Sequence, residues 1–392
     1  MERIGIYGGT FNPPHVGHIH AAQYALTALQ LDRLLLIPSC KAPHKTQFED
    51  TPTPRQRYEM LKIAAGEKLE VCDVELRRGG VSYTWETVEE IAELYPNAEL
   101  VLLMGSDMFL SFPSWREPER ILGKASLGVF CRGEKGEKEN IAAQKTEMEA
   151  KGHKVYLLEN PVTAISSTQL RRLLAFRCAD SFLPEGVGEY IRVQGLYGTD
   201  ADYRNLPMEK LEQTVVSLLK PDRVAHVLGC RDTAAKLAKH WGANETDAAR
   251  AGLLHDITKA LDGSLQLTLC REYGIVLGDF SRRYPKTLHA LTGSLVAERI
   301  FGENREVVSA ICSHTTGKAD MTALEKIIYI ADYIEPKRSF PGVEELRRLA
   351  YEDLDKALKM GLEMTIALLE TNQQEISPES AEALAFLRQT GV

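Results

Sequence analysis

The feature that most restricts the fold is a change of hydrophobic period near residue 200. Up to about residue 195, short β-rich runs at 3–7, 33–37, 99–104, 126–130 and 153–157 alternate with helical patterns at 17–29, 55–65, 84–94 and the charged stretch 137–151. Beyond the polar, turn-rich GTDADYRNLP segment the apolar residues recur only at helical spacing, in 208–219, 222–241, 245–255, 265–273, 289–301, 303–313, 323–334 and 343–369. Strands separated by helices return in the same direction, so the first part is expected to be an α/β domain with a parallel sheet. The second part is expected to be all-α. We therefore expect one domain at 1–195, a linker at 196–206 and a second domain at 207–392. At 392 residues the chain is long enough to bury two separate cores.

Composition removes several classes of function. No apolar run approaches the roughly 20 residues of a membrane span, and the start of the chain lacks a basic leader followed by a long apolar stretch. A cytoplasmic protein with no membrane partner is the expectation. Seven cysteines are scattered without a CxxC pair, which argues against a disulfide framework and a zinc knuckle. A net charge of −8 argues against nucleic acid as partner, while leaving room for a local basic pocket. Oligomeric state stays open, a homo-oligomer included.

In the first domain the opening strand of a Rossmann-like arrangement runs into GGTFNPPHVGH, residues 8–18, and then into a helix. Gly8 and Gly9 would let the backbone turn and approach a ligand, with Thr10 and Phe11 in the same turn. The helix beyond would offer free N–H groups to a polyphosphate. His15 and His18 are one turn apart at its mouth. An isolated pair of this kind is more often a surface or capping pair, and its place below a glycine turn is what favours a phosphate role. Ser166, Ser167, Thr168 and Arg171 follow the last strand. One hydroxyl there is expected to cap a helix, and the others with the guanidinium suit a phosphate cradle. His44 and Lys45, Ser82, Tyr83 and Thr84, Gly105, Ser106 and Asp107, and Trp115 fall in loop-like positions, each weak evidence by itself.

Together these motifs resemble the bacterial nicotinate mononucleotide adenylyltransferases of the HxGH nucleotidyltransferase superfamily, over roughly residues 3–192. GGTFNPPHVGH, ISSTQLR, SYTWET, MGSDMF and the tryptophan in PSWRE carry the likeness. The family's usual Pro-Pro-His-Lys is here Ala42-Pro43-His44-Lys45, which keeps the lysine. The resemblance implies adenylyl transfer from ATP to nicotinate mononucleotide, with magnesium (Mg2+) entering on the triphosphate. It implies His15 and His18 at the α-phosphate and Lys45 and Arg171 on phosphate charge. It further implies Tyr83, Thr84 and Trp115 around the nicotinate, and Asp107 near the ribose. A related adenylyltransferase acting on phosphopantetheine is the alternative.

The helical domain holds His226, His255, Asp256, His289, His314 and Asp332 in polar or turn-adjacent contexts. A lone histidine on an apolar helix is more often a satisfied core residue than a ligand. Asp256 and Asp332, however, each follow an apolar run that would bury them, which is costly for a carboxylate without a cation. Imidazoles and carboxylates converging from several helices suit a divalent metal. HVLGCRDTAAKLA, AGLLHDITK, HALTGS, SHTTG and IADYIEPKRSFPG, in this order, resemble the HD-domain phosphohydrolases, and among them the symmetrical diadenosine-tetraphosphate hydrolases, over about residues 208–370. The resemblance implies two transition-metal ions, iron first, on the six residues, with Asp256 as bridge. Lys259 and Arg338 are candidates for phosphate contact, with solvated ion pairs as the alternative. A non-catalytic nucleotide sensor is the competing reading of the whole domain.

Overall fold

The computed structural model describes residues 1–41, 51–67, 69–131, 137–159 and 165–392. The chain forms two compact units, Met1–Ala201 and Asp202–Val392.

Among its described residues the first unit is built on six parallel strands: β1 (Arg3–Gly9), β2 (Arg33–Pro38), β3 (Glu70–Val71), β4 (Glu99–Gly105), β5 (Ala125–Phe130) and β6 (Val155–Leu158). Their order is β3-β2-β1-β4-β5-β6. The run Leu34 to Ile37 is buried throughout because alternate side chains enter opposite cores. Leu35 and Ile37 join Ile4, Ile6, Leu100 and Leu102 on one face, whereas Leu34 and Leu36 join Val101, Leu103, Ala22 and Ala25 on the other. β3 was not expected, since two residues are too few to show a period. Strand order reverses between β1 and β4, which opens the crevice where sheets of this kind hold ligands.

One expectation is corrected at the end of β1. Gly8 and Gly9 do not form the turn; they extend the strand and pair with Ile37 and Pro38. The reversal falls at the next residues, with Phe11 in the left-handed region at φ 47. Gly9 is needed for another reason: a Cβ there would lie 3.1 Å from the Phe11 ring. A Cβ on Gly8 would meet nothing within 4 Å, so the space above the strand end is open.

The second unit is helical. The expected single helix over 343–369 is two, Val343–Glu352 and Leu354–Thr371. Asp353 between them is extended, and its carboxylate accepts the Lys356 N–H at 3.0 Å, so an N-cap interrupts an otherwise continuous apolar pattern. Asp279–Arg283 and Pro378–Gln389 are helices where none was expected. The Pro221–Trp241 and Glu245–Leu254 helices approach closely at Gly252, where a Cβ would stand 2.8 Å from the Arg231 Cα. That approach brings His255 to the side of His226. Among the described residues no helix is long and apolar enough to cross a membrane.

Candidate active sites

At the C-terminal end of β1, His15 is the N-cap of the Val16–Ala28 helix and His18 lies in its first turn. The rings stack with centroids 3.6 Å apart. The His15 N–H donates to His18 Nδ1 at 3.2 Å, which leaves Nε2 of a neutral His18 as its N–H donor. Burial lowers the His15 pKa to about 4, so this ring is neutral near pH 7.

The turn after β1 is held from several directions. Buried Arg57 donates to the Thr10 carbonyl at 2.7 Å, to Ser39 at 2.6 Å and to Cys40 at 3.0 Å, joining the ends of β1 and β2. Arg171, on the Ser167–Ala175 helix, donates to the Asn12 carbonyl at 2.8 Å and to Thr168 Oγ1 at 3.1 Å. Ser167 Oγ donates to the Pro13 carbonyl at 3.2 Å. Ser166 caps that helix through the Gln169 N–H at 3.2 Å, so the hydroxyl expected to do no more than cap is this one. The structure thus gathers His15, His18, Ser167, Thr168 and Arg171 around residues 8–14.

The other expected residues among those described follow the ends of β2 and β4 or open the helices beyond them. Ser82 Oγ accepts the Cys40 N–H at 3.3 Å, beyond the end of β2. Tyr83 is covered by the Arg116 guanidinium at 4.6 Å from its ring centre, and Thr84 opens the Thr84–Leu94 helix. Gly105 ends β4 and Asp107 sits exposed in the short helix that follows. Trp115 is partly buried against the core and packs on Phe112 with ring centres 5.2 Å apart. His44 and Lys45 lie outside the described residues.

In the second unit the four candidate ligand imidazoles, His226, His255, His289 and His314, turn the same nitrogen inward. His255 Nδ1 lies 2.8 Å from the Gly252 carbonyl, His289 Nδ1 2.7 Å from Lys286, and His314 Nδ1 2.7 Å from Ile311. His226 Nδ1 lies 3.0 Å from Glu335 Oε1. These acceptors favour the proton on Nδ1 and turn Nε2 toward the centre, where each can offer a lone pair to a cation. At His226 burial opposes the charged ring, but the carboxylates of Asp332 and Glu335 outweigh it and raise the pKa. The four Nε2 atoms divide between the two oxygens of Asp256. His226 and His255 stand 3.7 and 3.6 Å from Oδ2, and His289 and His314 stand 3.5 and 3.8 Å from Oδ1. Asp332 Oδ1 lies 3.2 Å from His226 Nε2. The pairs His226–His255 and His289–His314 have Nε2 atoms 3.3 and 3.2 Å apart.

Donors about 2.1 Å from one ion stand about 3.0–3.5 Å from each other, so the spacing fits two adjacent cations sharing Asp256. Facing lone pairs in a buried site repel unless a cation lies between them, and the donor set therefore suits transition metals. Burial, aided by the nearby Lys259 and the other imidazole, lowers the His289 pKa to about 3, and burial lowers His314 to about 4. Burial opposes ionisation of Asp256, but His255 and Lys259 beside it outweigh that and hold the carboxyl below the usual range. Two guanidiniums close the site. Arg223 Nη2 is 2.5 Å from Asp256 Oδ2, and Arg338 Nη2 is 2.5 Å from Asp332 Oδ1. Lys259 Nζ lies 2.8 Å from His289 Nε2. A cleft of about 280 Å³ beside Asp256 is lined by Lys220, Arg223 and Lys259.

Sequence reasoning did not single out Arg57, Arg223 or Glu335. Glu335 stood one turn after Asp332 on the same helical pattern, a spacing that places both carboxylates on one side. Nothing in local sequence marks Arg57, whose acceptors are all backbone carbonyls.

Residues 6–173 match the cytidylyltransferase-like family model and residues 223–337 the HD domain. A protein of Dictyoglomus thermophilum named "Probable nicotinate-nucleotide adenylyltransferase" is 36% identical over 200 residues, which are 50% of this chain and 99% of that protein. One of the same name from Clostridium tetani is 35% identical over 201 residues, covering 50% of this chain and 100% of its own length. Among solved structures, an HD superfamily hydrolase of Clostridium acetobutylicum, described as predicted and as involved in NAD metabolism, is 39% identical. It covers 47% of this chain and 98% of its own, with a TM-score of 0.46. Through its first half the chain thus belongs to the nicotinate-nucleotide adenylyltransferase family, and an HD domain of the metal-dependent phosphohydrolase type follows in the same polypeptide.

Proposed function

We propose that the first unit transfers the adenylyl group of ATP to nicotinate mononucleotide. The 5′-phosphate oxygen of the mononucleotide bonds to the α-phosphorus as the bond to pyrophosphate breaks, giving nicotinate adenine dinucleotide. His18 donates through Nε2–H to the α-phosphate while neutral His15 packs against it, and Arg171 and Lys45 take phosphate charge. Gly8, Gly9, Thr10 and Phe11 let the nucleotide approach the backbone, with Ser166, Ser167 and Thr168 beside it. Tyr83, Thr84 and Trp115 hold the nicotinate, while Ser82, Gly105 and Asp107 border the nucleotide. Magnesium enters with ATP as part of the substrate. Such a site works by position and charge, without a covalent nucleophile.

For the second unit we propose symmetrical hydrolysis of diadenosine tetraphosphate to two ADP. The observation that carries a two-ion phosphohydrolase is the division of four Nε2 lone pairs between the two oxygens of Asp256. When bound, a pair of transition-metal ions, iron for preference, supplies Lewis acidity at a phosphoryl oxygen and makes a neighbouring water acidic enough to attack. His226, His255 and Asp332 would hold one ion and His289 and His314 the other, with Asp256 shared. Lys259 and Arg338 draw the polyphosphate to this centre. The choice of a substrate with adenosine at both ends rests on the sequence motifs.

The test uses the whole chain, stripped of metal and reloaded with iron or manganese. Asp256→Ala should abolish both metal retention and ADP release, and should leave dinucleotide synthesis within about twofold of the parent. Release of AMP with ATP would show that a different bond is cut. No hydrolysis of any nucleotide by the loaded chain would favour a sensor.

A further inference from the structure

The segment between the last long helix of the first unit and its end carries an observation that the proposed roles leave unused. Tyr197 lies in the three-residue turn Leu196–Gly198, in the left-handed region at φ 58. A side chain rarely stays there without something to hold it. What holds it is a hydrogen bond of 2.6 Å from its hydroxyl to Asn12 Oδ1, across 185 residues of sequence. The turn is itself latched: Thr199 Oγ1 donates to the Leu196 carbonyl at 2.8 Å, and Arg177 donates to the carbonyls of Thr199 and Ala201.

Asn12 is where this contact meets the candidate site. Its side-chain oxygen takes the Tyr197 hydroxyl, and its backbone carbonyl takes Arg171 Nη1 at 2.8 Å. The next carbonyl, of Pro13, takes Ser167 Oγ. His15 follows two residues later. The direction of the Asn12 peptide therefore sets where the Arg171 guanidinium rests, and the phenol fixes that peptide through its side chain.

We propose that Tyr197 is a positioning residue for adenylyl transfer, seating Arg171 through Asn12. This rests on the reading of Arg171 as a phosphate-binding group. It also makes residues 196–198, which composition assigns to a linker, part of the first catalytic unit.

The test is steady-state dinucleotide synthesis by the full chain. Tyr197→Phe keeps the ring and removes the one hydroxyl. It should lower kcat about tenfold while KM for nicotinate mononucleotide moves less than about twofold, because a guanidinium displaced by a fraction of an ångström loses its alignment in the transition state. In an Arg171→Ala background the same substitution should change kcat less than about twofold. Asn12→Ala should repeat the loss and not add to that of Tyr197→Phe, which gives a second route if the phenylalanine variant folds poorly.

Equal fold losses in both Arg171 backgrounds, tracking a lowered melting temperature, would mean the tyrosine only braces the fold, and the proposal would be wrong. Unchanged kcat in Tyr197→Phe, with Arg171→Ala impaired, would overturn the proposal alone. Unchanged kcat in Arg171→Ala would overturn the site reading and the proposal with it.

Discussion

The two candidate centres, for which phosphate chemistry is proposed, are built from opposite materials. In the first unit the scaffold is backbone: strand ends, a turn and a helix start, steadied by Arg57 and Arg171 through carbonyl oxygens. In the second the scaffold is side chains, four imidazoles and two carboxylates brought in by separate helices and turns. A backbone site already presents N–H donors and needs no resident ion. A site of facing lone pairs is incomplete until cations enter. The chemistry therefore lies in the turn of one unit and in the charge balance of the other.

The strongest way to break that contrast is at His18. If it serves the transition state, His18→Ala should lower kcat for dinucleotide synthesis about 10²–10³-fold with little loss of stability, and should leave metal content of the chain unchanged. A near-normal kcat would remove the histidine from the reaction.

A smaller effect is expected from a residue that touches no substrate. Glu335 Oε1 accepts from His226 Nδ1, and Gly229 leaves room for the carboxylate, since a Cβ there would lie 2.8 Å from Glu335 Oε2. Glu335→Gln should weaken one ion about 10–100-fold in competition with a chelator while the ion on His289 and His314 holds. Equal loss of both ions would show that the site does not divide at Asp256.

The last effect concerns acid and is read as stability. Folding keeps His15 neutral down to about pH 4, whereas the unfolded chain protonates it near 6.5. The stability it contributes is complete above 6.5 and is lost as pH falls from there toward 4, on the order of 3 kcal/mol. Melting curves across that window should be flatter for His15→Asn than for the parent. Identical slopes would show that burial of this ring costs nothing.

Much of the fold and of both centres is legible in the amino-acid sequence, for physical reasons that differ from place to place. The strands near Ile4, Leu35 and Leu102 announce themselves because a parallel sheet buried on both faces needs continuous apolar runs. Of the six candidate ligands, Asp256 and Asp332 stand out because carboxylates at the ends of apolar runs demand partners. What stays hidden is whatever depends on contact across the chain. Tyr197 and Asn12, His226 and Glu335, and Arg57 with the carbonyls of three separate residues are related only by folding. The helix break at Asp353 stays hidden for the opposite reason, because the apolar spacing continues through it and only the cap interrupts the backbone. Gly8 and Gly9 look like a turn in sequence, and they become strand because β2 offers them partners as far as Pro38.

Arg223 and Arg338 press against Asp256 Oδ2 and Asp332 Oδ1, two of the oxygens that the cations would claim. A cation that takes those oxygens competes with the guanidiniums for the carboxylate charge, and a guanidinium so released is free to bind an anion. Occupancy by cation and by polyphosphate are then two ends of one thermodynamic linkage. Whatever factor the metal adds to the affinity for the anion, the anion must return to the metal. A chain whose ions bind more tightly in the presence of tetraphosphate, by the same factor as the ions tighten tetraphosphate, would be obeying that reciprocity.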